Sequence, residues 1–232
     1  MDRDWKRKIF PFIRGWVFTI LLALFIATSF RSAIADWSDV PTGSMKPTIL
    51  EGDRVFVNKL AYDLKIPYTT IHLARWDNPK RGDVVILFSP ADGTRLVKRV
   101  IGLPGDTLAM WRNQLIINGE PVRYDELKQD AIHQLPPEQR LDHLFYTEGL
   151  YEREHLVMLT PAQKSPRTFS PLKIPEGKYF VMGDNRDVSA DSRFFGFVER
   201  KQIVGRVLLV VFSLELDNHY LPRWHRFFEK LS

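Results

Sequence analysis

Arg95-Leu96-Val97-Lys98-Arg99-Val100-Ile101-Gly102 sets two basic residues inside a short aliphatic run. Such a run, rich in Val and Ile and too short for an amphipathic helix, predicts a β-strand. The period of two puts Leu96, Lys98 and Val100 on one face and Val97, Arg99 and Ile101 on the other. Runs of the same kind follow at Arg54 to Val57, Asp83 to Phe88, Leu115 to Ile117, Leu156 to Leu159, Tyr179 to Met182 and Ile203 to Phe212. Between them stand turn formers such as Glu51-Gly52-Asp53, Pro104-Gly105-Asp106 and Pro175-Glu176-Gly177. Asn118-Gly119, just after Leu115 to Ile117, predicts a tight hairpin. The fold class is therefore mainly β: a twisted, partly closed antiparallel sheet.

Two stretches depart from that pattern. Tyr124 to Pro175 is polar, rich in Pro and His and irregular apart from Leu156 to Leu159, which predicts an inserted subdomain over 124–175. Gly15 to Phe30 reads GWVFTILLALFIATSF and carries no charge. As a helix it covers roughly 24 Å, short of a ~30 Å hydrocarbon core. A transmembrane anchor is therefore expected over 9–35, with Arg14 and Arg31 reaching toward the interfaces. A cleaved leader is the alternative, because Ala33-Ile34-Ala35 follows the apolar run as a small-x-small site.

The net charge is +5, and the bases are scattered except for Arg3, Lys6, Arg7, Lys8 and Arg14 ahead of the apolar run. That placement speaks for membrane lipid and against nucleic acid as a partner, and it orients the N-terminus toward the cytoplasm. The resulting plan is a basic cytoplasmic tail at 1–8, the anchor at 9–35, a β domain from 36–123 and 176–213, and a tail at 214–232. The tail, Pro222-Arg223-Trp224-His225-Arg226-Phe227-Phe228-Glu229-Lys230, reads either as a surface helix or as a segment lying on a membrane. With no cysteine, thiol catalysis, disulfides and cysteine-ligated metals are excluded. The six histidines show no metal-ligand spacing, so neither metal nor cofactor is expected.

Three segments carry candidate chemistry. In Pro41-Thr42-Gly43-Ser44-Met45-Lys46-Pro47-Thr48, prolines on both sides restrict the backbone around Ser44. Alone, that is a serine in a turn; a nucleophile needs a neighbouring base. Lys98, among apolar neighbours, becomes such a base if burial lowers its pKa, whereas a lysine that curls to water does not. Gly183-Asp184-Asn185-Arg186-Asp187-Val188-Ser189-Ala190-Asp191-Ser192-Arg193 reads either as an Asx-rich turn or as polar support for a catalytic group.

In this order after an apolar N-terminal run, the three segments resemble bacterial type I signal peptidases, membrane-bound Ser/Lys proteases of family S26. Gly43 to Thr48 is similar to that family's nucleophile box, Gly82-Asp83-Val84-Val85 to its next strand, and Lys98 to Asp106 to its lysine box. Gly183 to Arg193, continued by Phe195-Gly196-Phe197-Val198, is similar to its last box. The resemblance implies Ser44 as nucleophile, Lys98 as general base, and an oxyanion hole from the Ser44 N–H and the Thr42 hydroxyl. It implies that Ser189 orients Lys98, and that Asp184 with Arg99, and Asp191 with Arg193, form ion pairs around the site. Val188 departs from the asparagine common in the family. The implied substrates are signal peptides of exported preproteins, cut after Ala-x-Ala-like sites by a monomer on the outer side of the cytoplasmic membrane. Met45, Ile49 and Val97 are the candidates for the substrate pocket. Trp37, Leu60, Tyr62, Ile66, Tyr68 and Trp76 are candidates for an exposed apolar rim.

Overall fold

The computed structural model describes residues 3–66, 69, 72–128, 132, 135, 140–216 and 219–231; the side chains of 3–14, 30–31 and 72 lie outside that description. Tyr68 and His133, and the side chains of the N-terminal basic cluster and Arg31, therefore fall outside it.

Helix α1 (Arg3–Ala33) is 31 residues long. Its described side chains from Gly15 to Thr28 are all exposed, among them Trp16, Phe18, Leu21 and Phe25. The hydroxyls of Thr19 and Thr28 donate back to the carbonyls of Gly15 and Leu24 at 3.0 and 2.7 Å, so these polar groups are satisfied within the helix. Among the described residues, no helix is long and apolar enough to cross a membrane.

The strands then follow in order. These are β1 (Ala35–Asp39), β2 (Asp53–Asn58), β3 (Asp63–Lys65), β4 (His72–Arg75), β5 (Val84–Phe88), β6 (Arg95–Gly102), β7 (Thr107–Trp111), β8 (Gln114–Ile117) and β9 (Glu120–Pro121). After them come β10 (Arg123–Leu127), β11 (Leu144–Leu150), β12 (Arg153–Leu159), β13 (Phe169–Lys173), β14 (Lys178–Met182), α2 (Ser192–Phe195), β15 (Val198–Glu199), β16 (Ile203–Glu215), β17 (Leu221–Pro222) and β18 (Glu229–Lys230).

The main sheet runs β1-β2-β16-β5-β6-β14-β15 and is antiparallel throughout, with β17 and β18 added on β16. Central position explains the burial of β6, where Lys98 to Gly102 are all buried, so both faces of that half-strand are covered. Asn118 and Gly119 both take positive φ, 55° and 86°, as the two-residue turn between β8 and β9 requires. β1 begins at Ala35, which pairs with Asn58, and Ala33 is buried. The Ala33-Ile34-Ala35 site is thus built into the fold, and cutting it requires β1 to unpair.

Two expectations change. The described residues of the inserted region are more regular than expected: β10, β11 and β12 form a three-stranded sheet, and β13 pairs with β7. Its strands alternate without a strongly apolar face, as in Leu144-Phe145-Tyr146-Thr147-Glu148-Gly149-Leu150, because buried positions there include the charged Glu148 and His155. Nor do the described residues of 214–232 form a separate tail or a surface helix. β17 and β18 pair back onto β16, and Arg226 between them is fully buried, donating to Asp53 at 2.8 Å and to the carbonyl of Thr48 at 2.9 Å.

Candidate active site

Ser44 sits in a single 3-10 turn, Gly43–Met45, in the loop between β1 and β2. Lys98 reaches it from β6. Its Nζ lies 2.8 Å from Ser44 Oγ and donates to the Val97 carbonyl at 3.0 Å. The lysine is 2 % exposed, and among the described residues it makes no ion pair. Burial pulls its pKa down from 10.5 to about 8, with Arg193 pushing the same way and Asp191 and Asp184 partly opposing. A lysine with that pKa is a competent proton acceptor near neutral pH.

The segment after β14 packs over this pair. Gly183 allows close approach, since a Cβ there would lie 2.3 Å from both the Ser44 carbonyl oxygen and Ser189 Oγ. Asp184 accepts from Arg99 Nε and Nη2 at 2.9 and 2.8 Å, and both side chains are about 1 % exposed. The hydroxyl of Thr48 donates to the same carboxylate at 2.5 Å, tying the Ser44 loop to it. Asp191 caps α2, receives Arg193 at 2.8 Å and accepts from the Gly183 N–H at 3.1 Å. The structure therefore brings Ser44, Lys98, Arg99, Asp184, Asp191 and Arg193 together.

Other candidates sit differently. Ser189 Oγ is buried and, among the described residues, has no hydrogen-bond partner, so it makes no bond to Lys98 here. Thr42, at the start of the turn, is exposed, and its side chain makes no cap bond. Met45 and Ile49 are fully buried in a core cluster with Val40, Val55, Val84 and Ile86, while Val97 packs on that cluster and stays partly exposed. Of the three pocket candidates, Val97 alone keeps accessible surface. In the apolar rim, Trp37 and Trp76 are about half exposed at 52 % and 54 %, and Leu60 and Ile66 are partly buried. Tyr62 is buried, and its hydroxyl donates to Asp83 at 2.7 Å.

A buried polar group behind the site was not singled out from the sequence. Glu148 of β11 accepts from Arg186 Nη2 at 2.6 Å and from the Tyr124 hydroxyl. His155 Nε2 of β12 lies 3.2 Å from that carboxylate and 3.8 Å from Asp184. Burial opposes the charge on Glu148, yet Arg186 and His155 outweigh it and hold the carboxyl well below its usual range. Burial, helped by Arg99, lowers the pKa of His155. The available signal was the period-two spacing of Glu148 and His155 within their strands, masked by the polarity around them.

The whole-chain comparisons fit this geometry. The chain is 34 % identical over 202 residues to the signal peptidase I of Pseudomonas aeruginosa, covering 82 % of this chain and 69 % of the relative. It is 34 % identical over 219 residues to signal peptidase I P of Bacillus subtilis subsp. natto, covering 94 % of this chain and 98 % of the relative. A crystal structure of a signal peptidase I from Enterococcus faecalis V583 matches 56 % of this chain and 97 % of its own at 31 % identity, with a TM-score of 0.35, too low to bear on the fold. The family model for signal peptidase, peptidase S26, matches residues 13–212, a span that holds both Ser44 and Lys98. The chain therefore belongs to the signal peptidase family, peptidase S26.

Proposed function

We propose that this protein is a membrane-attached serine endopeptidase that removes signal peptides from exported preproteins, with Ser44 as nucleophile and Lys98 as general base. The observation that carries this reading is the 2.8 Å approach of a buried, unpaired lysine to a serine held in a tight turn. Neutral Lys98 takes the Ser44 proton as Oγ adds to the scissile carbonyl carbon. Charge then builds on the carbonyl oxygen, where the Ser44 N–H and the Thr42 hydroxyl serve as donors, each worth about 3 kcal/mol in such sites. The tetrahedral adduct collapses with protonation of the leaving amine by Lys98, leaving an acyl-enzyme. Lys98 next takes a proton from water as its oxygen adds to the ester carbon, and then gives that proton to Ser44 Oγ as the C–Oγ bond breaks, releasing the carboxylic acid product and restoring neutral Lys98.

Asp184 with Arg99 and Asp191 with Arg193 keep the segment over the dyad in place. Ser189, buried beside Gly183, is the group that comes to hold Lys98 during turnover. Val97 offers apolar surface beside the dyad, with Met45 and Ile49 behind it, which suits the small side chains of an Ala-x-Ala site. The exposed apolar surface of α1 supports attachment to a bilayer, N-terminus in the cytoplasm and β domain on the far side.

Purified enzyme should cut a precursor peptide after Ala-x-Ala, and Ser44→Ala and Lys98→Ala should each abolish cutting while retaining a cooperative melt. Turnover by Ser44→Ala at the wild-type rate sinks the proposal. Flotation with liposomes tests the attachment, and a chain lacking residues 1–33 should no longer float.

A further inference from the structure

Asn185 is 4 % exposed and has no part in the proton transfers above, yet it is bonded directly to the nucleophile turn. Its side-chain Nδ2 donates to the Gly43 carbonyl at 3.0 Å, and its backbone N–H donates to the Ser44 carbonyl at 3.1 Å. The turn does little to hold itself: it is three residues long, Thr42 before it makes no side-chain cap bond, and it closes with one bond, from Lys46 N to the Gly43 carbonyl at 3.1 Å. A lone 3-10 turn has poor hydrogen-bond geometry, so outside contacts decide where it sits.

Asn185 is itself fixed from behind. Met158 of β12 donates its N–H to the Asp184 carbonyl and accepts from Arg186 N, both at 2.9 Å, so the inserted sheet grips the backbone on either side of Asn185. The flanking side chains are anchored too, Asp184 to Arg99 and Arg186 to Glu148.

We infer that Asn185 is a positioning residue that carries the rigidity of the inserted sheet to the Gly43-Ser44 backbone and so keeps Ser44 Oγ in reach of Lys98. This rests on Ser44 being the nucleophile. Because both of its hydrogen bonds to the turn go to backbone carbonyls, the asparagine bears on where the hydroxyl stands rather than on what the site binds. Loss of its Nδ2 donor should lower kcat and leave KM nearly alone, since displacements of about 1 Å at a nucleophile cost up to ~100-fold in rate.

The test compares Asn185→Ala and Asn185→Asp with wild type and Ser44→Ala, using the full chain in detergent and one precursor peptide. The inference expects kcat to fall about 10- to 100-fold, with KM within roughly twofold and the Lys98 limb of the pH profile unmoved. Should the aspartate variant fail to melt cooperatively, the alanine variant decides. A kcat within about twofold of wild type, or a loss no larger than the unfolded fraction measured by melting, overturns the inference. If Ser44→Ala is dead in the same assay, the catalytic reading survives that failure; if Ser44→Ala turns over normally, both fall.

Discussion

Lys98 Nζ and Ser44 Oγ, 54 positions apart in sequence, stand 2.8 Å apart, and only a buried lysine could make that distance useful. With its pKa lowered to about 8, roughly a tenth of Lys98 is the neutral base at pH 7. kcat/KM should therefore rise tenfold per pH unit at acid pH and level off above about 8, the neutral form being the active one. A rate profile from pH 5 to 10 checks this, and a profile flat below pH 7 contradicts it.

Gly183→Ala should remove activity out of proportion to its size. The new methyl would meet the Ser44 carbonyl oxygen, which is backbone and cannot step aside, and Ser189 Oγ, both at 2.3 Å. Overpacking of this kind costs about 1–3 kcal/mol in stability, but the displaced atoms include the backbone of the Ser44 turn itself. Parallel melting and turnover assays should show a mild drop in Tm beside a loss of kcat of at least about 100-fold.

Arg99→Leu should be expensive for the fold, because it strands the Asp184 carboxylate at 1 % exposure. Breaking such a buried pair from one side costs about 3–5 kcal/mol. The Asp184→Asn, Arg99→Leu double variant should be more stable than Arg99→Leu alone. Urea melts of wild type, Arg99→Leu, Asp184→Asn and the double variant measure the coupling, and strictly additive losses would count against a paired role.

His155 makes an acid-stability prediction. Its pKa is lowered in the folded chain by burial and by Arg99, despite Glu148 and Asp184 beside it. Below about pH 6.5, the reference value for histidine, the unfolded chain takes up a proton that the folded chain resists, so stability falls as pH falls, by at most about 1.4 kcal/mol per pH unit. The His155→Gln variant should lose less stability than wild type between pH 7 and 5. Equal losses in the two proteins would remove His155 from the account; carboxylates enter only below about pH 5.

What the sequence conveys here follows from where the physical signal is local. The strand bearing Lys98 declares itself through a run of aliphatic neighbours, and Asn118-Gly119 through the backbone angles a two-residue turn demands. Glu148 and His155 do not, because a charged residue on a polar strand looks solvent-facing until its partner arrives from another strand. Arg226 is harder still: an aromatic and basic stretch suggests a surface, whereas its guanidinium is buried against Asp53, 173 positions away. Asn185 lay inside a segment whose importance was readable, but its bonds to the Gly43 and Ser44 carbonyls are a fact of tertiary approach.

The place of β16 in the sheet carries a consequence for how the enzyme comes into being. β2, beside the Ser44 loop, and β5, the hairpin partner of the Lys98 strand, do not pair with each other; Ile203–Glu215 is the strand between them. On the ribosome, then, Ser44 and Lys98 both emerge long before the strand that joins their halves of the sheet is made. Such long-range pairing is slow to form. On the Ser44 and Lys98 reading proposed above, a nascent chain carries its serine and its lysine before it has the strand that joins their two halves of the sheet.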